Sequence, residues 1–231
     1  MAKAQLQAHY DAMWDQAIGA IAGGGVDCDT RAAIRPDPRR GITVIARPGP
    51  ALRARFDALL DRLCGAEPGQ YRYPAADMHM TVLSLCTATE NAWPQLARAD
   101  EYRAAAHAAL DGFQSFDIDF DGIAVSTGAV LARGMPCGPV LETLRERLRS
   151  DLRLRGLDAS LDRRYRLITA HATLFRFAAP LQDSRRFAAL LERLRDEPLG
   201  SMRVDALELV ANDWYMSAGS LQPLARITSC G

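Results

Sequence analysis

Residues 2–22 carry apolar side chains at helical spacing, and this spacing predicts an amphipathic helix. The apolar positions of this helix are Leu6, Tyr10, Met13, Trp14, Ile18 and Ile21. Three glycines at 23–25 end it, and the following stretch to residue 40, with two prolines, predicts a loop or linker. The helix of residues 2–22 is therefore an addition that packs on the main body or contacts a partner, including a second copy of this chain. Packing on its own body is the favoured alternative.

The main body begins at residue 41, and its first half predicts the order strand, helix, strand, helix, strand. Period-2 or continuous apolar runs indicate strands, and stripes at i, i+3 and i+4 indicate helices. The predicted elements are a strand at 42–46, a helix that Pro50 opens, a strand at 79–85, a helix at about 93–110, and a strand at 116–121 with alternating apolar and acidic residues.

The second half repeats this order. Its elements are a strand at 129–132, a helix that Pro139 opens, a strand at 171–177, a helix from Ser184, a strand at 202–210 and a closing strand at 221–228. Pro139 follows Pro50 by 89 residues, and His171 follows His79 by 92. An internal duplication explains this agreement. We therefore predict residues 1–40 as a helix and linker, followed by one domain at 41–231 with lobes of about 41–126 and 127–231.

Polar residues interrupt the matching strands of the two halves in the same way. His79-Met80-Thr81-Val82 and His171-Ala172-Thr173-Leu174 both read His-x-Thr-aliphatic. In a strand, positions i and i+2 share a face, so each His lies beside its Thr. Two such pairs facing one another form a site. His9 and His107 lie in helical patterns without polar companions, and a structural role is the better interpretation for them.

Composition limits the class of partner. The 28 basic residues equal the 28 acidic ones, so the chain has no global positive field that would collect a long polyanion. No extended nucleic-acid surface is therefore expected. The basic residues are Arg apart from Lys3, and Arg binds phosphate in a bidentate manner, although genomic base composition explains most of this bias.

Five cysteines, odd in number and without a Cys-x-x-Cys pair, indicate neither a disulfide framework nor a zinc site. Asp11 and Asp15 interrupt what would be the apolar core of a signal peptide, and no apolar run approaches the length of a membrane span. We expect a soluble, cytoplasmic protein without a membrane partner.

The duplicated motif resembles that of the two-histidine (2H) phosphoesterase superfamily, which includes 2′-5′ RNA ligase-like and cyclic phosphodiesterase-like proteins. The resemblance covers about residues 41–228 and does not include the N-terminal 40. It implies an α+β, bilobal, duplicated fold, in which two pseudo-symmetric halves with antiparallel or mixed sheets surround a central cleft and helices lie outside. No Gly-rich phosphate loop of a doubly wound nucleotide-binding fold is present.

The implied activity is that of a phosphoric diester hydrolase acting on a 2′,3′-cyclic phosphate or on a phosphodiester at an RNA or nucleotide end, as in RNA processing. His79 and His171 are then the catalytic acid–base pair, because imidazole titrates near neutral pH. The Thr81 and Thr173 hydroxyls donate to the phosphate oxygens. No metal or other cofactor is expected, since the sequence shows no ligand cluster with metal spacing.

Residues around the two motifs are candidates for holding the rest of a small nucleotide or RNA-end substrate, because aromatic side chains stack on bases and Arg binds phosphate. Before the motifs lie Tyr71, Arg72, Tyr73, Arg163, Arg164, Tyr165 and Arg166. Phe175 shares the strand parity of Thr173 and is a candidate for the floor of the cleft, and Trp214 and Tyr215 follow a predicted strand. Polar loop composition and core packing are the alternative explanations.

Two other functions remain open at this point. A non-catalytic module that binds a phosphorylated ligand or nucleotide would use the same His-Thr pairs without turnover. A scaffold that uses the helix of residues 2–22 as its contact is the weaker alternative.

Overall fold

The computed structural model describes residues 3–32, 36–163 and 165–230, which form six helices and nine strands. The helices are α1 (Lys3–Ala22), α2 (Pro50–Ala66), α3 (Trp93–Leu96), α4 (Ala99–Leu110), α5 (Val140–Leu154) and α6 (Ser184–Leu194). The strands are β1 (Arg40–Ala46), β2 (Tyr71–Arg72), β3 (Met80–Thr89), β4 (Phe116–Ser126), β5 (Ala129–Pro136), β6 (Ala172–Arg176), β7 (Gly200–Val204), β8 (Ala206–Asn212) and β9 (Gln222–Thr228).

One sheet contains all nine strands, in the order β7-β4-β5-β6-β3-β1-β8-β9, and β2 pairs with β6 beside this path. The strand pairs are antiparallel. β6 and β3 lie at the centre and carry the two His-x-Thr motifs. The order outward from this centre is matched on both sides, β5 and β4 corresponding to β1 and β8. The α+β fold with two related halves around the two motif strands is confirmed.

The halves of the sheet are not the two sequence repeats. β4 belongs to the first repeat but pairs with β5 and β7, and β8 belongs to the second repeat but pairs with β1 and β9. The first predicted repeat therefore contributes β4 to the half that contains β6, and the second contributes β8 and β9 to the half that contains β3. The predicted lobe boundary between residues 126 and 127 falls between the paired strands β4 and β5, so it does not divide the sheet.

The helices α2, α4, α5 and α6 cover one face of the sheet because each carries an apolar stripe. On α5 the stripe is Leu141, Leu144, Leu148 and Leu152, and each of these is buried. The predicted helix at 93–110 is two helices, since regular structure is interrupted at residues 97–98. The predicted strand at 202–210 is likewise two strands, β7 and β8, which separate at Asp205 and pair with opposite halves of the sheet.

The helix α1 packs on its own chain, with its first half on the opposite face of the sheet and its second half against α6. Leu6 and Tyr10 pack against Leu131 and Ala124, while Trp14 and Ile21 join the main core. Leu131 is paired with Thr173 and so shares the face of the motif residues. The helix α1 therefore covers the motif-bearing face over β4 and β5. This result agrees with the favoured expectation that the helix packs on the main body.

The other half of the sheet is covered on the same face by the segment 213–221. Met216 and Leu221 from this segment pack on Ile45 of β1 and Val210 of β8. With α1 on one side and residues 213–221 on the other, the central strands β3 and β6 remain as the open part of this face. None of the helices in the described ranges combines the length and the apolar character needed to cross a bilayer.

The buried hydroxyl of Tyr10 predicts a measurable link between α1 and the motif strand β6. The hydroxyl donates to the Gly134 carbonyl (3.2 Å) and accepts from the Ala170 N–H (3.1 Å), next to His171. Tyr10→Phe leaves these two backbone groups without that partner and should lower the free energy of unfolding by about 1–3 kcal/mol, measured by urea denaturation. Tyr165→Phe, at an exposed ring, is the matched control and should have little effect. An unchanged midpoint for Tyr10→Phe would contradict the link.

Candidate active site

The open part of the sheet forms a cleft of about 200 Å³ between the two halves. Its lining includes all four residues of the His-x-Thr pairs, His79, Thr81, His171 and Thr173. Further lining residues are Thr43, Tyr73, Leu83, Ser84, Thr87, Ala88, Asp162, Arg163, Tyr165, Leu167, Arg176, Asn212, Trp214 and Met216. The cleft is thus mainly polar at its centre and has aromatic and Arg side chains around it.

Strand pairing explains why the two motifs meet. Met80 lies opposite Ala172, and the side chains of both are buried on the helix-covered face. On either side of this pair, the antiparallel direction of the strands brings Thr81 towards His171 and His79 towards Thr173 on the opposite, cleft-lining face. Each imidazole therefore has a threonine beside it on its own strand and another across the strand pair.

The ring of His79 is held by a backbone carbonyl. Its Nδ1 lies 2.7 Å from the carbonyl oxygen of Asp77, which can only accept, so Nδ1 carries the proton and Nε2 is left for the cleft. The carboxylate of Asp77 in turn accepts from the N–H of Ala218 at 2.8 Å. The segment 213–221 thereby fixes the loop that orients His79.

The ring of His171 is held differently. Its Nδ1 lies 2.7 Å from the hydroxyl of Thr169, which can donate or accept. The partner of His171 therefore permits either tautomer, whereas the partner of His79 permits one. The two halves are related, but the hydrogen bonds around their imidazoles are not equivalent.

The free protein favours the neutral form of both imidazoles. Burial, together with the charges of Arg47 and Arg176, lowers the pKa of His79 to about 4, although the hydrogen bond to the Asp77 carbonyl acts in the opposite direction. Burial lowers the pKa of His171 to about 3, together with the positive charges of Arg145, His79 and Arg176. That His79 contributes to the shift of His171 agrees with the two rings facing one cleft.

A β-bulge after each threonine changes which residues face the cleft. On β6 the pairing with β5 steps by one residue between Thr173 and Phe175, so Leu174 is an extra residue. Strand parity alone predicts that Phe175 forms the floor of the cleft. Because of the bulge, Phe175 lies on the other face of the sheet. Phe175 is fully buried in the core, where it stacks on Phe187 at 5.6 Å, and Arg176 faces the cleft instead.

Arg176 is therefore a cleft residue that strand parity does not predict. Its Nε donates to the hydroxyl of Tyr73 at 3.0 Å, and its guanidinium lies 5.8 Å from the ring of Trp214. The first motif has the same feature, because β3 steps between Thr81 and Leu83 and brings Ser84 to the cleft. In both copies a polar residue follows the threonine by three positions, and this pattern in the sequence could have identified both.

The remaining candidates fall into two groups. Tyr73, Arg163, Tyr165 and Trp214 line the cleft. Arg72 pairs instead with Asp57 and Asp61 of α2, and Arg166 pairs with Glu146 of α5.

Three further candidates need separate mention. The Tyr71 ring contacts Tyr215, whose buried hydroxyl donates to Asp29 at 2.8 Å, and neither ring is among the lining residues of the cleft. Arg164 lies outside the described residues. The placements of Arg72, Arg166 and Tyr215 correct the expectation that they contact a ligand in the cleft.

A second chamber of about 450 Å³ adjoins the cleft and shares Thr87, Ala88, Arg163 and Trp214 with it. Its other lining residues are Cys86, Thr89, Asn91, Gln95 and Ser160. The side-chain oxygen of Gln95 is buried and accepts no hydrogen bond from the described residues. Together the chambers offer space beyond that of a phosphate group. Within the described ranges, no three His, Cys, Asp or Glu side chains are grouped so that they could hold a metal ion.

Comparison with known proteins identifies relatives of this fold and sequence. The family model described as the 2′-5′ RNA ligase superfamily matches residues 48–214. E. coli LigT, solved in complex with 3′-AMP, is 15% identical, with a TM-score of 0.57 over 84% of this chain and 99% of LigT. LigT has also been solved with phosphate and with ATP.

Two other solved structures are similar to a comparable extent. TT0787 of Thermus thermophilus is 18% identical, with a TM-score of 0.57 over 81% of this chain and 97% of TT0787. ATU0111 of Agrobacterium tumefaciens is 13% identical, with a TM-score of 0.55 over 90% of this chain and 98% of ATU0111. No curated protein matches the sequence significantly.

The lowered histidine pKa values predict a loss of stability on the acid side. Unfolded histidines take up protons below about pH 6.5, whereas the folded pKa values of His79 and His171 are about 4 and about 3. Between the folded pKa and pH 6.5 the unfolded state binds more protons than the folded state. The free energy of unfolding should therefore decrease as the pH is lowered, by up to about 1.4 kcal/mol per pH unit for each histidine.

Urea denaturation from pH 7 to pH 4.5 measures this slope. His79→Gln and His171→Gln should each reduce it, and the double variant should reduce it further. His107→Gln, which removes an exposed imidazole on α4, is the matched control. Equal slopes for the wild type and the double variant would refute the assignment of these shifts to the two imidazoles.

Proposed function

Because the chain belongs to the 2′-5′ RNA ligase superfamily, we propose that it is a metal-independent phosphodiesterase acting on a 2′,3′-cyclic phosphate or on a phosphodiester at an RNA or nucleotide end. The proposal assigns acid–base catalysis to His79 and His171. The observation that carries it is the β3–β6 pairing, with both His-x-Thr motifs lining one cleft. Family and fold support phosphodiesterase-type activity in general, and the substrate and the His-His mechanism are our proposal.

The proposed reaction is hydrolysis at phosphorus. One neutral imidazole takes a proton from the attacking water, and the other, protonated, gives a proton to the leaving oxygen as its bond to phosphorus breaks. Thr81 and Thr173 donate hydrogen bonds to the non-bridging oxygens, on which negative charge accumulates in the transition state. The products are a phosphomonoester and a free hydroxyl.

The negative charge of the substrate favours uptake, from the solvent, of the proton that this reaction needs. In the free protein both imidazoles have pKa values well below 7, so neither is protonated at neutral pH. A phosphodiester anion between the rings stabilises the imidazolium form and raises its pKa. Binding and protonation are then coupled, and the protonated member of the pair forms when the substrate is present.

The residues around the motifs suggest where the rest of a nucleotide would bind. Arg176 can contact a phosphate, and Tyr73, Tyr165 and Trp214 offer aromatic surfaces for a base. The adjoining chamber provides room for a further group. The complexes of LigT with 3′-AMP and with ATP support a small nucleotide ligand. A cytoplasmic location, proposed from the five free cysteines, stays a prediction.

Replacing either histidine should reduce the rate without unfolding the protein. His79→Ala and His171→Ala should each lower kcat by about 10²–10⁴-fold. The double variant should lose much less than the product, because two groups that act as a unit are not additive. Thr81→Val and Thr173→Val should each cost about 10²–10³-fold or less. His107→Ala is the matched control and should keep the wild-type rate.

The assay uses 2′,3′-cyclic nucleotides and short RNA ends, with and without EDTA, and follows products by phosphorus NMR. Turnover that requires an added divalent ion would contradict the metal-independent mechanism. If none of these substrates is turned over while a nucleoside monophosphate still binds, the chain is a phosphate-binding module. Full activity of His171→Ala would reject the acid–base pair.

Arg176 and Arg72 form a matched pair for testing substrate contact. Arg176 faces the cleft, whereas Arg72 pairs with two carboxylates of α2. Arg176→Met should raise KM for a cyclic nucleotide by about 10- to 100-fold, the effect of one lost charge-assisted hydrogen bond. Arg72→Met should leave KM unchanged. Equal effects of the two substitutions in steady-state kinetics would show that Arg176 does not contact the substrate.

A further inference from the structure

Arg145 of α5 is almost fully buried, and its guanidinium contacts four backbone carbonyls. Nε donates to the carbonyl of Val82 (2.8 Å), Nη1 to that of Ile168 (3.0 Å), and Nη2 to those of Thr169 (2.7 Å) and Thr81 (3.3 Å). Two of these carbonyls belong to the first motif strand, and two immediately precede the second. One side chain thus joins both motifs from the helix-covered face.

The strand pairing explains why such a contact is needed. In the described part of the chain, Met80 opposite Ala172 is the single paired position between β3 and β6. Beside it the strands separate, and their carbonyls lose the partners that a continuous ladder would give. A buried acceptor that is left unpaired is destabilising. A planar guanidinium has five N–H donors in a fixed geometry, which suits four acceptors from two diverging segments.

The contacts of Arg145 lead directly to the proposed catalytic groups. Thr81 provides one of the four carbonyls and also a cleft hydroxyl. Thr169 provides another, and its hydroxyl contacts His171 Nδ1 at 2.7 Å. A displacement of the guanidinium would therefore change the position of the Thr81 hydroxyl relative to the ring of His171.

The charge of Arg145 is not neutralised by an ion pair with any described carboxylate, unlike that of Arg149 one turn later on α5. Arg149 pairs with Asp162 at 2.8 Å and Glu146 at 2.7 Å. Burial lowers the pKa of Arg145 to about 10, so it stays protonated at neutral pH, and its charge lowers the pKa of His171. A buried positive charge behind the cleft favours an anion in front of it.

We propose that Arg145 is a positioning residue for the reaction. It holds Thr81 and His171 in register across the point where β3 and β6 separate, and it provides a fixed positive charge behind the phosphate-binding position. This inference rests on the proposed function for its kinetic consequence. Its consequence for the titration of His171 can be measured without any substrate.

Two substitutions separate geometry from charge. Arg145→Lys keeps the charge, but three ammonium donors on a flexible stem cannot reproduce the four contacts. It should lower kcat by about 10- to 100-fold, with a smaller change in KM, by misplacing the reacting groups. Arg145→Met removes the charge as well, so kcat should fall further and the pKa of His171, followed by NMR titration of the imidazole, should rise. In Arg145→Lys this pKa should stay low.

Arg133→Met is the matched control. Arg133 of β5 is also buried, but within the described residues its guanidinium donates to Asp121 and Asp196 and not to either motif strand. This variant should lose stability while keeping kcat and the titration of His171. If Arg145→Met does not fold, Arg145→Lys still tests whether the guanidinium positions Thr81 and His171. A wild-type kcat in Arg145→Lys would overturn the proposal.

The two proposals fail in different ways. If no phosphodiester is turned over by any variant, the proposed function fails, and the NMR titration still tests the effect of the Arg145 charge on His171. If the wild type is active but Arg145→Met keeps both its rate and its His171 pKa, the role of Arg145 is refuted and the proposed function stands.

Discussion

The separation of β3 from β6 at a single paired position is the constraint on which the other features of the site depend. A continuous ladder would close the sheet and leave no cleft, whereas unconnected strands would not hold two imidazoles facing each other. Met80 opposite Ala172 joins the strands, and a bulge beyond each threonine turns them apart. The cleft is the space that this divergence opens, and its polar lining comes from residues on the turned segments.

This arrangement places polar groups at the centre of the fold, where they lower the free energy of unfolding. Two neutral imidazoles, that of His79 buried and that of His171 partly buried, line the cleft, and a guanidinium without an ion pair in the described residues lies behind them. Each of these groups would be better solvated in the unfolded chain. The extensive apolar core on the helix-covered face, together with the smaller clusters under α1 and residues 213–221, offsets that cost. The side chains at the centre are consequently held by many neighbours before any ligand binds.

Local periodicity was sufficient to predict much of the structure. The stripe on α5 and the shared face of His79 and Thr81 depend only on residues close in sequence, and they occur as expected. The placement of Phe175 was predicted incorrectly because a bulge depends on the neighbouring strand. Arg145 could not be recognised for a similar reason. Its position on α5 reads as one more polar residue beside a leucine stripe, and its four acceptors belong to segments over 60 and over 20 residues away. The location of α1 on the motif-bearing face also follows from tertiary packing alone.

The exchange of β4 and β8 between the halves has a consequence for the origin of the chain. If β4 did not fold back onto β1, a single repeat by itself would leave the outer edge of β1 unpaired. Two copies of such a repeat could satisfy each other by trading that strand about a twofold axis, as in domain-swapped homodimers. Fusion of the two copies in one gene would preserve the trade and release each histidine from identity with its counterpart. In a fused chain the partners of the two histidines can differ, as the carbonyl beside His79 and the hydroxyl beside His171 do, whereas two identical subunits would give both the same partner.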